Sequence, residues 1–214
     1  MRRHVPNLLT AGRFFLAIGF FIVLAFYDAY DRDYNPPAYN PSAWPVIDLA
    51  LAIFLVAVAT DVVDGYLARR MGHMTTFGRI ADPFVDKIII CGAMVYFIGG
   101  EFIRRDGVNV TGWQTWMVVV ILARELLVTG MRSFSESHHI PFAATLTGKV
   151  KMFLQCVAVT WSLLYVGHWA AHPDPPAWTY VGRDVSIWTA TLFTGVSGLV
   201  YIKRAYHLLR LPPD

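Results

Sequence analysis

Residues 61–86 read DVVDGYLARRMGHMTTFGRIADPFVD, and the rest of the chain is arranged around this stretch. Eight positions in it form the pattern D-x2-D-G-x2-A-R-x8-G-x3-D-x3-D. The first two aspartates are three residues apart and the last two are four apart, so on helices each pair shares a face. The eight positions are Asp61, Asp64, Gly65, Ala68, Arg69, Gly78, Asp82 and Asp86.

The polar segment between the two aspartate pairs predicts a turn between two helices. Residues 70–76 form a short, mostly polar segment, and Gly72 allows the chain to reverse there. If the two halves fold antiparallel about this segment, the first aspartate pair lies level with the second. Four carboxylates then face one small volume, where they repel one another unless cations lie among them.

The composition is that of an integral membrane protein. The chain has 214 residues, of which 56% are hydrophobic and 15% charged, and its mean hydropathy is +0.46. This is too apolar for a soluble domain of this size. Strands with alternating polarity are scarce, so helices are expected to satisfy the backbone in lipid. Cys91 and Cys156 lie in separate apolar segments and are predicted to be buried thiols, not a disulfide.

Six apolar segments of about 20 residues each match the thickness of a bilayer. The predicted fold class is therefore an all-α integral membrane protein with six transmembrane helices, forming one domain over residues 1–214. Residues 28–45 are predicted to be a polar loop, for which no role follows from the sequence. The predicted spans are approximately 8–27, 46–68, 78–100, 113–132, 148–168 and 185–206.

The distribution of basic residues predicts that both termini are cytoplasmic. With that orientation the outer loops hold Arg32, Arg104, Arg105 and Arg183, which leaves 14 of the 18 Lys and Arg residues on the inner side. The charges that interrupt the spans also lie toward their cytoplasmic ends, as a polar cavity open to the cytoplasm requires. These charges are Arg13, Asp61, Asp64, Asp82, Asp86, Lys87, Arg124, Glu125, Lys149 and Lys151.

The aspartates are expected to bind metal ions. Residues 49–60 and 88–100 contain no charge, and ionisable groups next to such apolar segments are usually functional. Carboxylates without His or Cys ligands suit Mg²⁺ or Mn²⁺, and two such ions form the usual clamp for displacement at phosphorus. The alternative is that Arg69, Arg70 and Lys87 pair with the aspartates for stability alone, but this does not explain the matched spacing.

Small residues accompany the carboxylates. Gly65, Ala68 and Gly78 lack bulk, so a flat or phosphorylated group could approach the backbone beside them while Arg69 holds an anion. Close helix packing is the alternative explanation for such residues in membranes. Their register with the carboxylates favours the binding role.

The eight-residue pattern resembles the signature of the CDP-alcohol phosphotransferase family, with every fixed position matched. The resemblance implies a six-helix membrane enzyme, usually a homodimer, with the motif on its second and third helices. Such enzymes transfer a substituted phosphoryl group from a CDP-linked donor to an alcohol and release CMP. The implied metal ligands are Asp61, Asp64, Asp82 and Asp86, with Asp86 also the general base. The implied contacts to the CDP donor are Asp61, Gly65, Ala68, Arg69 and Gly78.

Further segments resemble the bacterial phosphatidylglycerophosphate synthases within that family. They are residues 6–13, 81–87 and 123–155, and the resemblance implies CDP-diacylglycerol as donor and glycerol 3-phosphate as acceptor. A cationic cluster is available for the acceptor phosphate at the cytoplasmic mouth, formed by Arg124, Arg132, Lys149 and Lys151. These residues could instead be ordinary inner-loop anchors, and Arg124 could simply neutralise Glu125.

Two other functions stay open. The first is an enzyme of the same family with another acceptor: inositol phosphate, serine, or phosphatidylglycerol to give cardiolipin. The second is a divalent-cation transporter, which the uncharged outer halves of the spans disfavour. The expected location is the cell (inner) membrane, with several spans and the active site facing the cytoplasm. The expected partners are the lipid bilayer and a second copy of the chain, and no nucleic acid.

Overall fold

The computed structural model is all-helical over the residues it describes. The backbone is described for residues 5–27, 44–71, 76–103, 107–137, 146–170, 172 and 174–209, and side chains for residues 12–27, 44–60, 87–103, 107–135, 147–170, 172 and 174–203. Most of the predicted polar loop at 28–45 lies outside these ranges. The helices are α1 (Val5–Ala25), α2 (Trp44–Met71), α3 (Thr76–Phe97), α4 (Thr115–Ser137), α5 (Leu146–His168) and α6 (Ala177–Leu209).

The predicted all-α class is confirmed. Within the described ranges, the β-type pairing consists of an isolated bridge between Ile103 and Asn109. A 3₁₀ turn, Gly100–Phe102, precedes this bridge. The bounds of α1 to α5 agree with the predicted spans to within a few residues.

The predicted start of the sixth span is wrong. Helix α6 begins at Ala177, about two turns before the predicted residue 185, so Arg183 lies within the helix and not in a loop. Its charge is accommodated there, because Nη1 donates to the carbonyl of Val110 at 2.8 Å and Nε donates to Asp184 Oδ1 at 2.8 Å. The guanidinium also lies 4.3 Å from the ring centroid of Tyr165. The Arg183–Asp184 pair therefore lies inside α6 and does not mark its start.

The helices pack in a closed order. Helix α1 packs against α2 and α3, α2 packs against α5, α5 packs against α6, and α6 packs against α4. Helix α4 then contacts α3, and α3 also reaches α5. Glycines allow close approach at several crossings, because a side chain on Gly92 would collide with Phe21 and one on Gly167 with Ile47.

The end of the bundle opposite residues 61–86, here called the far end, is filled with aromatic side chains. Tyr27 stacks on Phe102 with ring centroids 5.4 Å apart, and both side chains are buried. Trp113 is also buried and donates its indole N–H to Ser162 Oγ at 2.9 Å. Asn109 Nδ2 closes the connection to α4 by donating to the carbonyl of Phe97 at 2.8 Å. The far end is a packed apolar core with satisfied polar groups.

The outward faces of the helices are apolar. Leu126 on α4 and Phe153 on α5 are 71% and 67% exposed, and α6 has a row of similar residues that includes Leu192 and Val196. Among the residues whose side chains are described, two helical segments, Thr147–His168 and Ala177–Lys203, are long and apolar enough to cross a membrane. Exposed apolar faces of this extent are typical of surfaces that contact lipid or protein.

Candidate active site

The two halves of the 61–86 motif lie on consecutive helices, as predicted. Residues 61–69 belong to the last part of α2, whereas Gly78, Asp82 and Asp86 belong to the first half of α3. Residues 72–75, between the helices, lie outside the described residues. The backbone is helical at both places, which is the condition on which the spacing argument depends. All eight motif side chains lie outside the described side chains, so their roles stay a prediction.

A buried carboxylate on α4 contacts three cations, one of which, Lys87, follows the motif directly in sequence. Glu125 on α4 is 4% exposed. Lys151 on α5 donates to its Oε1, and Arg124 Nη1 lies 3.3 Å from the same oxygen. Lys87 Nζ on α3 lies 3.8 Å from Oε2. These four residues are called the Glu125 cluster below.

The Glu125 cluster has an excess of positive charge. Its three cations and one carboxylate have a formal charge of +2. Arg124 and Lys151 are each 7% exposed, so little water is available to compensate them. Buried charges are costly unless they are paired and hydrogen-bonded. An excess of buried cations of this kind favours an anionic ligand.

Lys87 joins the motif helix to α4 at two points. It follows Asp86 directly in sequence, and its Nζ donates to Thr129 Oγ1 as well as lying beside Glu125. Thr129 Oγ1 in turn donates to the backbone carbonyl of Glu125 at 2.7 Å. One turn of α4 therefore holds α3 at the residue next to the predicted general base.

Helix α6 shapes the other side of the cluster. Arg124 Nε donates to Ser197 Oγ at 3.1 Å, and its guanidinium carbon lies 5.2 Å from the ring centroid of Tyr201. Gly198 makes room for this side chain, since a Cβ there would lie 3.0 Å from Arg124 Cγ. The guanidinium is therefore oriented by a hydroxyl, a carboxylate and an aromatic face.

The four predicted acceptor residues fall into two groups. Arg124 and Lys151 are buried and meet at Glu125, whereas Arg132 and Lys149 are exposed near the end of α4 and the start of α5. The sequence-based alternative that Arg124 pairs with Glu125 is confirmed as a contact. This contact leaves phosphate binding by the same guanidinium open, because an Arg side chain has five N–H donors.

Several side chains of this site are not identified from the sequence. Thr129, Ser197 and Tyr201 all contact cluster residues, but the sequence alone assigns them no role. The available signal is weak: Ser197 and Tyr201 are four residues apart and so share a face of α6. Which helix that face meets depends on the packing order.

The donor set of the motif fits a hard divalent cation. Among the described side chains, no three His, Cys, Asp or Glu residues lie close enough together to hold a metal ion. The side chains of the motif aspartates are not among those described. Helices α2 and α3, which carry the four aspartates, pack against the same two neighbours, α1 and α5. Carboxylate oxygens alone suit Mg²⁺ or Mn²⁺ better than softer metals. Cys91 and Cys156 form no disulfide, as predicted; Cys91 is buried as expected, whereas Cys156 is only partly buried.

Comparison with known proteins decides the family. Residues 3–196 match the family model for CDP-alcohol phosphatidyltransferase. The chain belongs to this family. The match includes the whole 61–86 motif and the Glu125 cluster, and it confirms the resemblance seen in the sequence. Members of this family are transferases associated with membranes, in agreement with the apolar outward faces of the helices.

The relatives of this CDP-alcohol phosphatidyltransferase extend over nearly its whole length. One from Bacillus subtilis (strain 168) is 31% identical over 208 residues, which cover 97% of each chain. One from Escherichia coli (strain K12) is 31% identical over 191 residues, covering 88% of this chain and 92% of the relative. A third, from Rickettsia felis, is 29% identical over 201 residues and 94% of each chain. All three are named CDP-diacylglycerol–glycerol-3-phosphate 3-phosphatidyltransferase.

Proposed function

We propose that this protein transfers the phosphatidyl group of CDP-diacylglycerol to glycerol 3-phosphate, giving phosphatidylglycerol phosphate and CMP. The observation that carries the proposal is the similarity, over 97% of the chain, to a Bacillus subtilis relative that is named for this activity. The Glu125 cluster provides independent support, because a dianionic acceptor suits a largely buried site, open at Lys87, with a formal charge of +2. Serine and phosphatidylglycerol do not need such a site.

The four motif aspartates are proposed to hold two Mg²⁺ or Mn²⁺ ions. Asp61, Asp64, Asp82 and Asp86 supply only carboxylate oxygens, which are the ligands that these ions prefer. Held by these four carboxylates, such ions would supply positive charge for the diphosphate of the donor and for the departing CMP.

Asp86 is proposed to act as the general base. Its carboxylate takes the proton from the attacking hydroxyl of glycerol 3-phosphate as that oxygen bonds to the β-phosphorus of the donor. The bond between this phosphorus and the bridging oxygen breaks, and CMP leaves with the electron pair. The proton is then released from Asp86 to solvent before the next turnover.

The donor is proposed to lie along the small-residue face of the motif. Gly65, Ala68 and Gly78 leave room for the cytidine diphosphate next to the backbone, and Arg69 pairs with its phosphates. Asp61 contributes to the same contact. The acyl chains stay in the lipid between helices, so the site is level with the headgroups of one leaflet.

The acceptor phosphate is proposed to bind the basic residues beside the motif. Arg124 and Lys151 contact it from inside the bundle, and Arg132 and Lys149 contact it from the exposed ends of their helices. The hydroxyl of glycerol 3-phosphate then points toward Asp86, which precedes the cluster residue Lys87 in sequence.

The membrane arrangement follows from the same proposal. The six helices each cross the inner membrane, both termini are cytoplasmic, and the chain functions as a homodimer in a single-domain fold. The excess of Lys and Arg on the inner side of the six-span topology supports this orientation. Residues 61–86 then face the cytoplasm, where glycerol 3-phosphate is available.

A CMP-release assay with purified protein in detergent tests the proposal. The protein receives CDP-diacylglycerol and Mg²⁺, with glycerol 3-phosphate, inositol phosphate, serine or phosphatidylglycerol in turn. We expect release with glycerol 3-phosphate and loss of release in Asp86→Asn. The matched control is Asp48→Asn, which removes an exposed carboxylate at the far end of α2, where it pairs with His168. Release that requires a different alcohol would overturn the acceptor assignment.

A further inference from the structure

Glu125 is buried, contacts three cations and has no part in the proposed reaction. Two of its partners, Arg124 and Lys151, are proposed phosphate ligands, and the third, Lys87, follows the proposed general base. The carboxylate would repel a phosphate group, so it is unsuited to bind the acceptor directly. Any contribution to acceptor binding must therefore act through the cations.

The geometry explains how one carboxylate can organise three cations. A carboxylate has two oxygens with about four lone-pair sites, and here Oε1 accepts from Lys151 and Arg124 while Oε2 faces Lys87. Each cation uses only part of its donor capacity on Glu125. The remaining N–H groups are available to another anion, and three such groups from three helices suit the oxygens of a phosphate.

Removal of the negative charge would disperse the cations. Lys87 has a half-exposed side chain that can turn toward solvent, and Arg124 retains Ser197 and Tyr201 as partners on α6. Lys151 would lose its carboxylate partner and face two like charges. Glu125, more than any of the hydroxyl groups around it, therefore keeps the three cations close together.

We propose that Glu125 is a positioning residue for the acceptor phosphate. It holds Lys87, Arg124 and Lys151 so that their remaining N–H donors converge on that phosphate. Through Lys87 the same carboxylate fixes α3 next to Asp86, which relates the acceptor phosphate to the general base. This inference rests on the proposed function and deepens it by adding Glu125 and Lys87 to the acceptor site.

The test is a kinetic comparison of Glu125→Gln with the unmodified protein in detergent. We expect the KM for glycerol 3-phosphate to rise about tenfold or more, because three phosphate donors are displaced, with a change of less than about twofold in the KM for CDP-diacylglycerol. At a given concentration, glycerol 3-phosphate should also raise the thermal unfolding midpoint of the variant less than that of the unmodified protein. Glu125→Asp, which retains the charge on a shorter side chain, should restore part of the affinity.

Leu126→Ala is the matched control, because this neighbouring residue on α4 is 71% exposed and apolar. It should leave both KM values unchanged. A lower unfolding midpoint in Glu125→Gln with a normal KM for glycerol 3-phosphate would show a structural role only and overturn the inference. If that variant does not fold, Glu125→Asp decides, and a normal KM there overturns the inference. Failure of the unmodified protein to use glycerol 3-phosphate would instead overturn the proposed function itself.

Discussion

Lys151→Met separates acceptor binding from folding. Methionine is similar in length to lysine and apolar, so it can fill the space of a side chain that is 7% exposed. Glu125 keeps Arg124 and Lys87 as partners, so no carboxylate is left uncompensated. Replacing one member of a buried ionic group by an apolar residue also removes its desolvation cost. We therefore expect the free energy of unfolding to fall by less than the ~3–5 kcal/mol that removing one partner of an isolated buried pair costs.

The substitution should also weaken binding of the acceptor. The substitution lowers the formal charge of the Glu125 cluster from +2 to +1 and removes one charged donor to the phosphate. A hydrogen bond to a charged group contributes about 1.5–3 kcal/mol. Because about 1.4 kcal/mol corresponds to a tenfold change, the KM for glycerol 3-phosphate should rise by about 10- to 150-fold.

The assay is CMP release at saturating CDP-diacylglycerol with glycerol 3-phosphate varied, together with thermal unfolding of the same preparation. Lys203→Met is the control, because Lys203 is an exposed lysine on α6. It should have a normal KM. A normal KM in Lys151→Met, or an equal rise in both variants, would refute a specific contact between Lys151 and the acceptor phosphate.

Three other predictions concern the fold and the metal. Ser162→Ala removes the acceptor of the buried Trp113 indole N–H, so the free energy of unfolding should fall by about 1–3 kcal/mol while the KM values stay unchanged. An unchanged thermal unfolding midpoint would contradict this. Gly112→Ala should destabilise more than Gly107→Ala in a thermal melt, because both have a φ of 80° but only at Gly112 does a Cβ meet Arg183, at 2.8 Å. Equal losses would show that this crowding is unimportant. A chelator should abolish CMP release and added Mg²⁺ or Mn²⁺ should restore it, whereas full activity in excess chelator would contradict the metal role.

Most of the helical architecture follows from hydrophobicity and spacing. The apolar segments predict α1 to α5 within a few residues, and α2 and α3 lie on either side of the polar segment around Gly72 in the sequence. The error at α6 has a physical cause. Arg183 looks like a loop residue because a charge in an apolar segment is costly, yet its cost is offset by the Val110 carbonyl, a contact between residues 73 positions apart. Such long-range pairing is not visible in the sequence.

The candidate site can be predicted from the sequence only in part. The convergence of span-interrupting charges at one level correctly brings Arg124 and Lys151 together. The central place of Glu125 is not predictable, because it depends on which faces of α3, α4 and α5 meet. Helical spacing can place two residues on one face, but it does not say which neighbouring helix that face contacts. For the same reason Ser197 and Tyr201 are found only in the packed structure.

The most direct test of the central claim follows the phosphate-labelled acceptor into lipid. Purified protein is incubated with CDP-diacylglycerol, Mg²⁺ and glycerol 3-phosphate carrying a radioactive phosphate, and the organic phase is analysed beside the CMP formed. We predict that label enters the lipid fraction as phosphatidylglycerol phosphate, in equal amount to the CMP released, and that Asp86→Asn forms neither. CMP release without label in lipid, or label transfer that persists in Asp86→Asn, would contradict the proposed function and the role of its general base.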